Sequence, residues 1–135
     1  SRSNRNNKTK IKAIKKQYSQ NNHFDFELTE IQNKKVLALD SKNKGFLLMD
    51  FNPKEEVVSF VNLNNILSCK LVPTTENNSD TILKIEFELM YKATQKKELL
   101  LLYTIENEMM NQQCLHEDHQ LAKKWVKIIN DSIPS

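Results

Sequence analysis

The most chemically suggestive stretch of the chain is CLHEDH, which gathers Cys114, His116 and His119 within six residues. His116 and His119 are spaced i, i+3, so on one helical turn both imidazoles share a side, and a Cys114 thiolate beside them would offer a third zinc ligand. Zinc signatures bring two such ligand pairs together, and this set stands alone. The expected assignment is therefore a polar, solvated loop and helix start, with no metal and no cofactor. Cys69 alternates with Leu67 and Leu71, which places it as a small core residue; a reactive thiol needs a cationic, exposed setting. Glu86 and Glu88 point to one side of a strand, as an acid and base pair would, but the same spacing describes the wet face of a half-exposed strand. That plainer reading is adopted, and no catalytic residues are assigned.

Glycine use narrows the field further. The chain has one glycine, Gly45, whereas phosphate-cradling loops and dinucleotide turns need two or three where backbone approaches ligand. Nucleotide binding of those kinds is excluded. Two cysteines far apart do not make a disulfide scaffold. An apolar fraction of 39% with 27% charged residues describes a globular chain, and no apolar run approaches the roughly 18 residues that span a bilayer. Three triplets of the N-glycan type, at Asn7, Asn77 and Asn130, arise readily in an Asn-rich chain and are assigned no function.

Charge is segregated along the 135 residues. Seven of the 20 basic residues and none of the 17 acidic ones fall within the first 24, so the formal net charge of +3 conceals a remainder at −4. The basic residues are Arg2, Arg5, Lys8, Lys10, Lys12, Lys15 and Lys16, in SRSNRNNKTKIKAIKK. Nucleic-acid binding would use such charge on phosphates, but single-strand or base recognition adds aromatic platforms and only Tyr18 is near. A solvated leader is the plain alternative. The preferred expectation is a juxtamembrane segment contacting an anionic surface: the positive-inside bias places Lys and Arg beside a membrane anchor, here one upstream of Ser1, and each adds about 1 kcal/mol of attraction to anionic lipid.

The elements that would position these residues follow from hydrophobic periods. Ile11, Ile14 and Tyr18 give a thin helical stripe over Thr9 to Tyr18, which needs a surface to lie on. The stretch Ser19 to Asn22 reads as a linker. Segments 1–22 and 23–135 are expected as a basic leader and a single domain. Seven strands are predicted in hairpin order: Phe24 to Leu28, VLAL, FLLMDF, VVSFV, ILSCKLV, TILKIEFELMY and ELLLLYTI, the last apolar enough to be covered on both faces. Gly45 is expected to supply positive φ in the turn DSKNKG. Leu67, Cys69 and Leu71 are expected on one strand face. The C-terminal stretch changes to a helical period, with Leu121, Ala122, Trp125, Ile128, Ile129 and Ile133 as its stripe, Asp118 as its N-terminal cap and Trp125 as its anchor.

Seven strands in hairpin order followed by one amphipathic helix bearing a Trp resemble the pleckstrin-homology-like fold. More narrowly, KKVLALDSKNKGFLLMDF, VVSFVNLNNILSCKLV and LAKKWVKIIND resemble bacterial pleckstrin-homology-like proteins of uncharacterised function, which often carry a short hydrophobic N-terminal anchor. The resemblance implies a mainly β protein: a strongly bent antiparallel sheet forming a partly open barrel, capped by the helix. It implies a non-enzymatic domain that binds a protein or peptide along a sheet edge or helix groove, or a membrane surface from the cytoplasmic side. Phosphoinositide-binding members carry basic residues in the first hairpin loop and on the next strand. Here Lys34 and Lys35 occupy one candidate loop and Lys42 and Lys44 another, as possible anion contacts, but GFLLMDF follows without a basic residue, so no specific inositol-phosphate site is implied.

Overall fold

The structure is a computed structural model that describes the backbone of residues 2–106 and 112–135, and side chains from residue 7 onward in those ranges. The chain divides into two compact units, Ser1–Asn62 and Leu63–Ser135. Among the described residues there are seven strands, as the hydrophobic periods predict, so the protein is mainly β with a C-terminal helix. They do not form one bent sheet or a closed barrel: they form a four-stranded and a three-stranded antiparallel sheet. The ladder is interrupted by a 3-10 turn at Leu63–Asn65, whose Leu63 is buried.

In the first unit, α1 spans Arg2–Tyr18, and β1 (Leu28–Gln32), β2 (Lys35–Asp40), β3 (Gly45–Asp50) and β4 (Val57–Asn62) pair in sequence order. α1 contains neither Gly nor Pro, and it ends where Gln20, Asn21 and Asn22 adopt φ of 51°, 59° and 67°. Asn tolerates this left-handed region better than most residues. Ser19 assists the stop by donating its hydroxyl to the Lys16 carbonyl at 2.7 Å. Most helical stability in a protein comes from tertiary packing of one face rather than from intrinsic propensity. That of α1 comes from Ile11 and Ile14, which pack with Phe24, Phe26, Val36, Ala38, Leu47 and Met49, and with Tyr18 and Phe60 at the margin. The segment expected as a leader therefore supplies part of a core.

Two local expectations are corrected in this unit, and one turn is defined. Phe24 and Phe26 alternate and are buried, but pairing begins only at Leu28; the preceding segment is held instead by the Asp25 amide donating to Asp40 Oδ2 at 2.8 Å. The β1–β2 connection is a two-residue turn with Asn33 and Lys34 at φ of 51° and 63°, as a type I′ hairpin requires. In the β2–β3 turn the left-handed residue is Lys44, at φ 69°, and not Gly45. Gly45 is needed for space: a Cβ there would lie 2.6 Å from Cδ1 of Phe24.

Both faces of β2 and β3 are buried, with Val36, Ala38, Leu47 and Met49 on the side facing α1 and Leu37, Leu39, Phe46 and Leu48 on the other. In the second unit, β5 (Ile66–Thr75), β6 (Ile82–Tyr91) and β7 (Lys97–Thr104) pair in order, and α2 (Gln112–Ser132) packs on them. β7 is not covered on both faces, because Leu99 and Leu101 are 51% and 42% exposed while Leu100 and Leu102 are buried. A register shift between Ile66 and Ser68 turns Leu67 outward, so Ile66 and Cys69, rather than Leu67 and Cys69, face the core.

Trp125 is fully buried, with Leu121, Ala122 and Ile129 along the same stripe of α2. Removing such a side chain costs about 3–5 kcal/mol. Asp118 does not cap the helix. It lies six residues inside, fully buried on the apolar stripe. Asn130 supplies a further tie: its side-chain oxygen accepts the Cys69 amide at 3.0 Å and its nitrogen donates to the Cys69 carbonyl at 2.8 Å. A side-chain amide here takes the place of a neighbouring strand on β5.

Candidate functional site

The basic residues of α1 are sorted by the packing of its apolar stripe. At about 100° per residue, fixing Ile11, Ile14 and Tyr18 inward sets Lys8, Lys12 and Lys16 one turn apart along one flank and Lys10 on the other. All four are exposed. Lys15 is different: it is half-buried, donates to the Thr29 hydroxyl, and burial lowers its ammonium pKa against the opposing pull of Asp25. Its charge is tied into the fold. The side chains of Arg2 and Arg5, both expected surface contacts, lie outside the described residues.

The loop lysines do not gather. Lys34 sits in the β1–β2 turn, while Lys42 and Lys44 sit in the β2–β3 turn at the opposite end of β2, whose six residues span about 20 Å. Lys35 is 2% exposed and so is closed to an external anion. The β1–β2 turn is joined to the β3–β4 connection through Phe51 donating to the Lys34 carbonyl at 2.9 Å and Asn52 Nδ2 donating to the Asn33 carbonyl at 3.0 Å. That connection carries Lys54 beside Glu55 and Glu56, leaving this end of the sheet without a concentrated positive charge.

At the other end, Asp40 organises the β2–β3 turn. Its carboxylate accepts the amides of Asp25, Lys42 and Asn43 at 2.8–2.9 Å, and the Asn43 side chain at 3.3 Å. Burial pushes the carboxyl pKa up, but these donors outweigh it and hold the group below its ordinary value. These bonds are internal to the unit and fix the segment leading from α1 into the sheet.

The stretch CLHEDH is helical throughout, not a loop. Cys114 and His116, two residues apart, therefore diverge by about 200° around the axis, which scatters the candidate ligand set. His116 and His119 do share a side, and burial, Lys123 and His116 together lower the His119 pKa. No group of three His, Cys, Asp or Glu is placed to hold a metal ion among the described residues. Cys69 is 3% exposed, and burial pushes its thiol up to about 12, far from the thiolate a nucleophile needs. Glu86 and Glu88 share a face of β6 and pair with Lys84 at 3.6 Å and Lys97 at 3.9 Å, but Glu86 is buried, so the face expected to be wet is covered at that residue. An open cavity of about 360 Å³, bordered by Asp80, Thr81, Tyr103, Ile105, Gln112 and Leu115, brings no cluster of like charges together.

Sequence reasoning identified the basic residues but did not find that α1 is seated on the sheet, which decides which lysines face outward. The usable signal was the spacing of Ile11, Ile14 and Tyr18 taken with the aromatic residues just after the helix. No helix among the described residues is long and apolar enough to cross a membrane. Comparison with family models, curated proteins and solved structures found no match to the chain.

Proposed function

We propose that the chain is a non-enzymatic, pleckstrin-homology-like interaction module that works at the cytoplasmic face of a membrane, with the exposed flank of α1 docking on anionic lipid. The fold-family part of this reading is supported by the division into four and three antiparallel strands followed by a Trp-bearing helix. The observation that carries the membrane part is the fixed presentation of Lys8, Lys12 and Lys16 by a helix whose other side is locked in a core. Tyr18, Phe24, Phe26 and Phe60, aromatic residues near this helix, pack against one another, which disfavours base stacking by them and hence single-stranded nucleic acid as partner.

Sedimentation with vesicles tests the reading. The full chain should bind vesicles containing phosphatidylserine in about 0.1 M salt, where charges still interact over about 10 Å, and should not bind neutral phosphatidylcholine. Equal binding to both, or to neither, would refute it. A second reading, peptide capture along β7, is favoured by the exposure of Leu99 and Leu101 on that edge of the sheet. The β5 edge is less open to the same use, because Asn130 occupies the Cys69 backbone groups and Pro73 has no N–H to offer.

A further inference from the structure

α1 offers a bilayer charge without apolar area. Ile11 and Ile14 are 7% and 8% exposed, and Tyr18 stacks on Phe60 with ring centroids 5.9 Å apart. The exposed large hydrophobic residues of the described chain, which include Leu28, Ile31 and Val57, are all outside this helix. Helices that insert into the interface do the reverse, sinking their apolar face about 5–10 Å into the headgroup and acyl boundary. For α1 to insert, it would have to leave Phe24, Phe26, Val36 and Leu47 uncovered.

The shape of the charged surface has a second consequence. Lys8, Lys12 and Lys16 rise by about 5.4 Å per turn along a convex cylinder. Each ammonium is a compact charge on a flexible stem. Such a row encloses nothing, whereas selecting a headgroup requires a concave site with fixed polar groups. The loop lysines do not build one, since Lys34 and the Lys42 and Lys44 pair lie at opposite ends of β2.

We infer that α1 is a non-inserting reader of surface charge density. It lies on an anionic bilayer through screened electrostatics and does not distinguish phosphatidylserine from a phosphoinositide presented at equal surface potential. This inference rests on the membrane reading above. Each of Lys8, Lys12 and Lys16 contributes about a fivefold gain in partitioning, and Lys10, on the opposite flank, contributes less.

The test uses the full chain with three probes. Phosphatidylserine vesicles and phosphoinositide vesicles are matched for zeta potential, and a phosphatidylserine monolayer reports insertion as a rise in surface pressure. The expected result is superimposable binding curves for the two vesicle types, no pressure rise, and loss of binding in about 1 M salt, where screening acts within about 3 Å. Changing all three flank lysines together, K8Q/K12Q/K16Q, should weaken partitioning about a hundredfold while leaving the circular dichroism spectrum unchanged. A preference for the phosphoinositide at matched potential, or a pressure rise, would overturn the inference and leave the membrane reading standing. Absence of binding to either vesicle, or tighter binding to duplex DNA at the same ionic strength, would overturn both.

Discussion

Replacing Gly45 by Ala should destabilise the first unit by about 1–2 kcal/mol, although the backbone at this position is one any residue can adopt. The added Cβ would stand 2.6 Å from Cδ1, 3.0 Å from Cε1 and 3.1 Å from Cγ of Phe24. Carbon pairs are at ease at about 3.5–4.0 Å, so the ring must retreat by about 1 Å. It has little room, being 3% exposed and in contact with Phe60 at a centroid distance of 5.2 Å and His23 at 4.5 Å. Overpacking of this kind costs about 1–3 kcal/mol, against which a Gly to Ala change returns about 0.4–1 kcal/mol by restricting the unfolded chain. The cost depends on the ring, so in a Phe24→Leu background the same substitution should become neutral or slightly stabilising, a coupling of about 1–2 kcal/mol. Urea unfolding followed by far-ultraviolet circular dichroism on the four proteins of this cycle gives the number directly. An equal cost in both backgrounds, or a Gly45→Ala protein more stable than the parent, would refute the close-approach explanation. Lys44→Gly should have the opposite sign, a gain of up to about 1 kcal/mol, because Lys44 holds the left-handed conformation.

Asp40 should give the first unit an acid-sensitive component. Its carboxyl has a lower pKa folded than the ordinary 3.8, so its contribution is complete above that value and is lost as pH falls through the lower folded one; Asp40→Asn should lower stability near neutrality and flatten this part of the acid limb in a pH series of urea midpoints. Asn130→Ala should cost about 1–3 kcal/mol by stranding the Cys69 amide, with a loss of hydrogen-exchange protection there, whereas Asn130→Asp should retain the bond to that amide and cost less. At about pH 8 a thiol reagent should modify Cys114 in the folded protein and reach Cys69 only after unfolding; modification of both thiols at similar rates would contradict the burial that drives the Cys69 thiol up to about 12.

Six of the seven strands were legible because short apolar runs bounded by polar turns carry a strong two-residue or continuous period, whereas the first, Leu28–Gln32, shares only Leu28 with the expected run Phe24 to Leu28. Phase was less legible. The register shift beside Leu67 inverted the expected inward face of β5, and neither residue type nor spacing marks such a shift. β2 and β7 read alike as aliphatic runs, yet β2 lies between two strands of its sheet and β7 has one strand neighbour, a property of topology rather than of composition. The helix start was misplaced because Asp118 looks like a cap in sequence, and only the fold shows it buried inside α2. Gly45 was recognised as special for the wrong reason, since the ring that excludes a Cβ lies 21 residues away. For α1, three apolar residues among many lysines gave the right face, but the aromatic and aliphatic surface that holds it comes from elements formed later in the chain.

In the proposed docking, membrane attraction resides in the placement of charge on α1 and not in net charge. Vesicle partitioning of two triple variants of the full chain tests it, K8E/K12E/K16E on α1 and K123E/K124E/K127E on the exposed side of α2, which change net charge by the same amount. On phosphatidylserine vesicles in about 0.1 M salt, the α1 variant should lose all measurable binding and the α2 variant should keep most of it. Equal losses in the two variants, or a larger loss in the α2 variant, would contradict the claim.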